Sequence, residues 1–227
     1  MPPRTSQRRV REREIIDAAR ALFDERGMQD APMDEIARAV GITRGLLYRY
    51  FASKEELFVL ALTRYTDELT ELGRARIDPA APIEAQLRAS WENFTDYCLR
   101  YPAFLDCALA LMRQPAETLR ERVSDATWLR LGVSMGACLG LTVEILRRGV
   151  AQGVLRLPDP VFTANLLYTQ TLGAMHLARS GVVVAAGTGG LPQALPVAAE
   201  RVAAGCVEAA VALVFHGAQT ELAAAVE

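Results

Sequence analysis

Residues 33–58 read MDEIARAVGITRGLLYRYFASKEELF, and the fold turns on this stretch. Asp34 and Glu35 stand where the first turn of a helix favours negative charge. Ile36, Ala37 and Val40 supply its apolar face, and Gly41 stops it after two turns. Thr43 is placed to cap a second short helix over 43–51, which would bury Leu47, Tyr50 and Phe51. Two short helices joined by a glycine-led turn make a helix-turn-helix unit. The second helix then turns Arg44, Gly45, Tyr48 and Arg49 outward. That face is basic and narrow, and a major groove admits one helix. Arg44 and Arg49 suit guanine edges or phosphates, and Tyr48 suits phosphate and sugar. Gly45 removes a Cβ from the line of approach.

Upstream, Ile15, Ala18, Ala19, Leu22 and Phe23 form one helical stripe, so a helix is expected over 9–26, closed by Gly27. A basic tail (Arg4, Arg8, Arg9, Arg11, Arg13) is expected to reach flanking phosphates or the minor groove. Downstream, Ser53 and Glu56 form a capping box that opens a long helix to about Arg76. Lys54, beside free N–H groups at that helix start, suits a phosphate. Charge follows the same division. Residues 1–54 hold 11 Arg and Lys against 8 Asp and Glu, whereas the 227-residue chain as a whole carries −2. A nucleic-acid partner therefore fits the N-terminal quarter alone.

From Ile15 to about Leu60 the chain resembles the DNA-binding head of TetR-family transcriptional regulators, through DEIARAVGI (34–42) and TRGLLYRYFASKEELF (43–58). The resemblance implies DNA contacts from Thr43, Arg44, Gly45, Leu46, Tyr48, Arg49 and Lys54. Two positions depart from the family pattern. Pro32 stands where a Ser or Thr often caps the second helix. Leu46 replaces a frequent Thr, which leaves it only apolar contact, as with a thymine methyl. The resemblance further implies an all-α protein, with a head over 1–54 and an effector-binding and dimerisation body over 55–227. It also implies a homodimer through the last two helices, a near-palindromic double-stranded DNA operator, and repression relieved by a small molecule. Two-fold symmetry would set the recognition helices roughly 34–36 Å apart.

The body reads as helical. Helices are expected over 83–100, from Pro102, over about 116–150, from the Asp159-Pro160 cap to about Ser180, and over 194–216. The Gly-rich stretch 181–193 is expected to be irregular. Ala203, Ala204, Gly205, Ala209 and Ala210 would permit close helix packing, at an interface or in an ordinary core. Candidate lining of an effector pocket is Trp91, Phe94, Tyr97, Cys98, Tyr101, Trp128, Met135, Cys138, Tyr168 and His176. Such a set suits a lipophilic or aromatic ligand, although for each single residue ordinary core is the stronger reading.

Enzyme chemistry finds little support. His176 and His216 lie in separate late segments, and no Cys-x-x-Cys or His-x-x-x-His supplies a metal site. Cys98, Cys107, Cys138 and Cys206 match no ligand spacing and read as reduced thiols. GTGG (187–190) lacks the Lys-Ser/Thr of a phosphate loop, and no strand is expected before it. No catalytic residue, metal or cofactor is expected. No uninterrupted run of about 18 apolar residues and no signal peptide is seen, so a cytoplasmic protein without a membrane partner is expected. The alternative is an architectural DNA binder or a helical interaction module without an effector.

Overall fold

The structure, a computed structural model, describes residues 4–26, 32–113, 121–187 and 191–217. Its helices are α1 (Arg4–Arg26), α2 (Met33–Ala39), α3 (Arg44–Tyr50), α4 (Lys54–Arg76), α5 (Ile83–Arg100), α6 (Pro102–Arg113), α7 (Asp125–Ala151) and α8 (Pro160–Ser180). A hairpin of β1 (Val182–Ala186) and β2 (Pro192–Pro196) follows, then α9 (Ala199–Ala212), which passes into a π-helical turn at Leu213–Gly217. The fold is a three-helix head, a long linking helix α4 and a helical body. The chain forms two compact units, 1–68 with 101–135, and 69–100 with 136–227.

In the first unit α1 buries Ile15, Ile16, Ala19 and Phe23. The Arg20 guanidinium lies 4.0 Å from the Tyr65 ring centroid and bonds Glu68 at 2.6 Å, which ties α1 to α4. The expected capping box forms at the start of α4. Ser53 Oγ accepts from the Glu56 N–H at 2.9 Å. The Glu56 carboxylate turns back to the Ala52 N–H at 2.7 Å, one residue earlier than the usual partner. Its other oxygen accepts from Ser124 Oγ at 2.5 Å and Thr127 Oγ1 at 3.0 Å. Glu56 is buried, which opposes its charge, yet the donors on Ser124, Ala52 and Thr127 outweigh burial and hold its pKa below the ordinary 4.5.

Ser124 also sets where α7 begins. Its carbonyl accepts from the Thr127 and Trp128 N–H groups, so the helix expected from 116 starts at Asp125. Residues 114–120 lie outside the described part. By length and composition alone α7 is apolar enough to cross a membrane. The requirement for an unbroken apolar run passes over it because Arg130 and Glu144 interrupt the stretch.

In the second unit one core joins Leu87 and Trp91 of α5, Val143 and Leu146 of α7, Ala164 and Leu167 of α8, and Val207 and Val211 of α9. At the end of α7 a Cβ on Gly149 would stand 2.5 Å from the Leu155 side chain, so only glycine lets the returning chain seat Leu155 there. Asp159 caps α8 as expected, accepting from the Val161 and Phe162 N–H groups at 2.9 Å.

The stretch expected to be irregular is the hairpin, and the helix expected from 194 starts at Ala199. Both differences have local causes. Val182, Val183 and Val184 favour extended backbone. Pro196 forces the residue before it away from helical geometry, so no helix can run through 195. The register pairs Val182 with Pro196, Val184 with Ala194 and Ala186 with Pro192. Bonds from Gly187 N–H to Leu191 O and from Val197 N–H to Gly181 O close the two ends. A strand therefore does precede Gly187, although residues 188–190 lie outside the described part.

Glu56→Gln removes the charge that the Ser124, Thr127 and Ala52 donors face. Unfolding at pH 7 should become easier by about 1.5–3 kcal/mol. Because the folded pKa is depressed, this stabilisation is complete above pH 4.5 and is lost as the pH falls through the lower folded value. Urea melts of parent and variant should therefore converge below pH 4.5.

Candidate nucleic-acid interface

Gly41 makes the turn between α2 and α3. Its φ of +65° is left-handed, its N–H donates to Arg38 O at 3.1 Å, and the Ile42 N–H donates to Ala37 O at 2.9 Å. These bonds close α2 and aim α3. Thr43 caps α3, its Oγ1 accepting from the Leu46 N–H at 3.2 Å. Pro32 precedes α2 and provides no side-chain cap. Leu47 and Phe51 are fully enclosed, together with Ile36 and Ala37. Tyr50 and Val40, expected inside, are half-buried, and Met33 at the start of α2 is buried.

The opposite face of α3 is open. Thr43, Arg44, Gly45 and Arg49 are exposed, Leu46 is 36% exposed and Tyr48 40%. Arg44 lies 3.2 Å from Asp34 Oδ2, with its guanidinium 5.6 Å from the Tyr48 ring centroid. Tyr48 first, then Asp34, raise its pKa further, so it is a permanent cation. An exposed pair of this kind is worth little and yields readily to a phosphate. Lys54 is half-buried at the start of α4. Beside it the Ala52 N–H donates to the Glu56 carboxylate and the Glu56 N–H to Ser53 Oγ.

The arginines of the basic tail all belong to α1, which starts at Arg4, earlier than the expected residue 9. Arg8, Arg9 and Arg13 are exposed, and Arg8 stands 5.9 Å from the Tyr50 ring centroid. Arg11 is a structural tie, donating to Val40 O at 2.7 Å and pairing with Glu14. Sequence reasoning missed it because an arginine bonded to a carbonyl 29 residues away leaves no local pattern.

The ten candidate pocket residues separate. Trp91, Phe94, Cys138 and Tyr168 line one cavity of about 30 Å³ in the second unit. The Trp91 indole donates to Thr171 Oγ1 at 2.9 Å, and the Phe94 and Tyr168 rings are 5.4 Å apart. Burial, then Cys138 and Cys98, push the Tyr168 phenol above its ordinary range. Tyr97 is buried beside a surface groove with Arg76 and Arg100, and Cys98 is buried as a free thiol. Tyr101, Trp128 and Met135 belong to the first unit, where the Tyr101 hydroxyl donates to Glu68 at 3.2 Å. His176 is exposed on α8. Among the described residues no group of three His, Cys, Asp or Glu is placed to hold a metal.

A buried three-helix head with a basic, outward second helix defines a helix-turn-helix protein. Residues 15–61 match the family model for bacterial regulatory proteins of the tetR family. The chain is 33% identical to the HTH-type transcriptional regulator BetI of Cronobacter sakazakii over 129 residues, 54% of this chain and 64% of that one. It therefore spans under two thirds of that relative's length. It is 27% identical to the HTH-type transcriptional repressor KstR2 of Mycobacterium tuberculosis over 162 residues, 68% of this chain and 72% of that one. The fold matches the transcriptional regulator FadR of Bacillus subtilis, solved with stearoyl-CoA, at a TM-score of 0.64 and 16% identity, covering 88% of this chain and 97% of that one.

Gly41→Val places a branched side chain on a left-handed residue and should cost about 1–2 kcal/mol, whereas Gly41→Asn should cost less. Thermal melts followed by circular dichroism will rank the parent above Asn and Asn above Val.

Proposed function

We propose that this chain is a sequence-specific DNA-binding transcriptional regulator, a homodimer that represses from a near-palindromic operator and is released by a small lipophilic or aromatic molecule. The observation that carries this reading is the α3 face. Arg44, Gly45, Tyr48 and Arg49 stand outward on a helix whose other side is locked by Leu47 and Phe51. Basic side chains on the exposed side of a single helix fit the major groove, while Arg8, Arg9 and Arg13 on α1 add charge for flanking phosphates. In this reading residues 1–54 carry DNA recognition and 55–227 carry effector binding and dimerisation.

The effector site is the cavity beside Trp91, Phe94, Cys138 and Tyr168. Its aromatic lining suits an apolar ligand. Its volume of about 30 Å³ holds little more than a water molecule. A ligand there must select a more open body, and it shifts DNA affinity only by its preference for that state. The FadR protein carries stearoyl-CoA on the same fold, in keeping with an apolar effector. The dimer face is formed by α8 and α9. Ala204, Gly205, Glu208 and Ala209 of α9 point outward, and a Cβ on Gly205 would have no atom within 4 Å.

Selection from a random DNA pool should return one short palindrome. Arg44→Ala with Arg49→Ala should weaken binding to it at least 100-fold in fluorescence anisotropy and leave helicity and dimerisation unchanged, since both side chains are exposed. Retained sequence preference would place recognition elsewhere.

Gly205→Glu meets no neighbour within one protomer, so its fold should survive. Sedimentation should nevertheless show monomers, because two buried charges would face each other across the two-fold axis. An unchanged dimer would move the interface off α9.

A further inference from the structure

Between Asp159 and Glu200 the chain carries a single Asp, Glu, Lys or Arg, namely Arg179, although 23% of the whole sequence is charged. Much of this segment is nevertheless exposed. In the hairpin, the paired register puts Val182, Val184, Ala186, Pro192, Ala194 and Pro196 on one face. All six are apolar and all are exposed, Val184 by 78%. At the far end of α8, Val161 and Phe162 are also exposed, Phe162 by 64%. Surfaces depleted of charge and rich in exposed apolar side chains mark protein interfaces.

The two patches cannot cover each other within one chain. They stand at opposite ends of α8, whose 21 residues extend about 30 Å. A second copy removes the difficulty. If two α8 helices pack antiparallel about a two-fold axis, the Phe162 end of each meets the hairpin end of the other, and both patches are buried twice. The outward face of α8 between them suits such a contact. Asn165 Nδ2 donates to Val161 O, and Thr169 Oγ1 donates to Asn165 O, both at 2.9 Å, so these polar groups are satisfied within the helix. A Cβ on Gly173 would have no atom within 4 Å, which leaves room for a close backbone approach.

We infer that the β1–β2 hairpin is a dimerisation arm that seats its valine–proline face on the Val161–Phe162 end of α8 in the partner protomer. The inference rests on the dimer face proposed above and extends it to a segment outside the helices.

The test is sedimentation of the full chain carrying exposed substitutions, which leave the protomer core untouched. Val184→Lys alone and Phe162→Asp alone should each weaken the dimer at least tenfold. Mixed together, the two chains should form a heterodimer at least tenfold tighter than either variant's homodimer, because the Lys then meets the Asp. Parent-like dimerisation of Val184→Lys, with Gly205→Glu still monomeric, would overturn the arm and leave the α8–α9 dimer standing. Weakening by both variants without recovery on mixing would also overturn it, since the hairpin then does not meet Phe162. A parent chain that is monomeric at every concentration would overturn both readings.

Discussion

A helix of seven residues does not hold together in water by its own hydrogen bonds, and α2 and α3 are both that short. The exposed face of α3 therefore exists only through what lies beneath it. Burial of Ile36, Ala37, Leu47 and Phe51 supplies the energy. The left-handed Gly41 sets the angle, the Thr43 cap fixes the start of α3, and the Arg11 bond to Val40 O ties the turn to α1. Every apolar side chain that α3 buries removes a position from solvent and leaves the opposite positions exposed, and in the proposed function these are the ones that meet DNA. In that reading stability and recognition divide one small helix between them.

Glu56 plays the corresponding part at the start of α4. One carboxylate joins a backbone N–H beside it to two hydroxyls some seventy residues later in the chain. It determines where two long helices begin, and it does so with a charge kept in a buried place by its donors. The same economy appears at Arg20, which stacks on Tyr65 and pairs with Glu68.

Features governed by neighbouring residues were legible in the sequence. The Gly41 stop, the Thr43, Ser53 and Asp159 caps and the limits of α4 and α5 follow from local rules, and the structure has them. The outward set Arg44, Gly45, Tyr48 and Arg49 was legible because a short helix with one buried side leaves little choice. Features governed by distant residues were not legible. Helical spacing places Trp128 and Met135 on a stripe but does not say what that stripe meets, and they belong to a different compact unit from Trp91 and Tyr168. The hairpin was hidden by its glycines and alanines, which speak for loop and helix, while its three valines and the restriction imposed by Pro196 decide the outcome.

The hairpin's prolines carry a further consequence. The closing bonds at Gly187–Leu191 and Gly181–Val197 make every second pair, Val183–Leu195 and Ala185–Gln193 among them, the hydrogen-bonded ones. The N–H positions of 192, 194 and 196 therefore point away from β1, and two of those three residues are proline. The free border of β2 offers one donor, from Ala194, where an ordinary strand of this length would offer three. An uncharged apolar ribbon is the sort of segment that recruits further ribbons into fibrils. Along its β2 border this one can lie against a surface through its side chains but has few donors with which to extend a sheet.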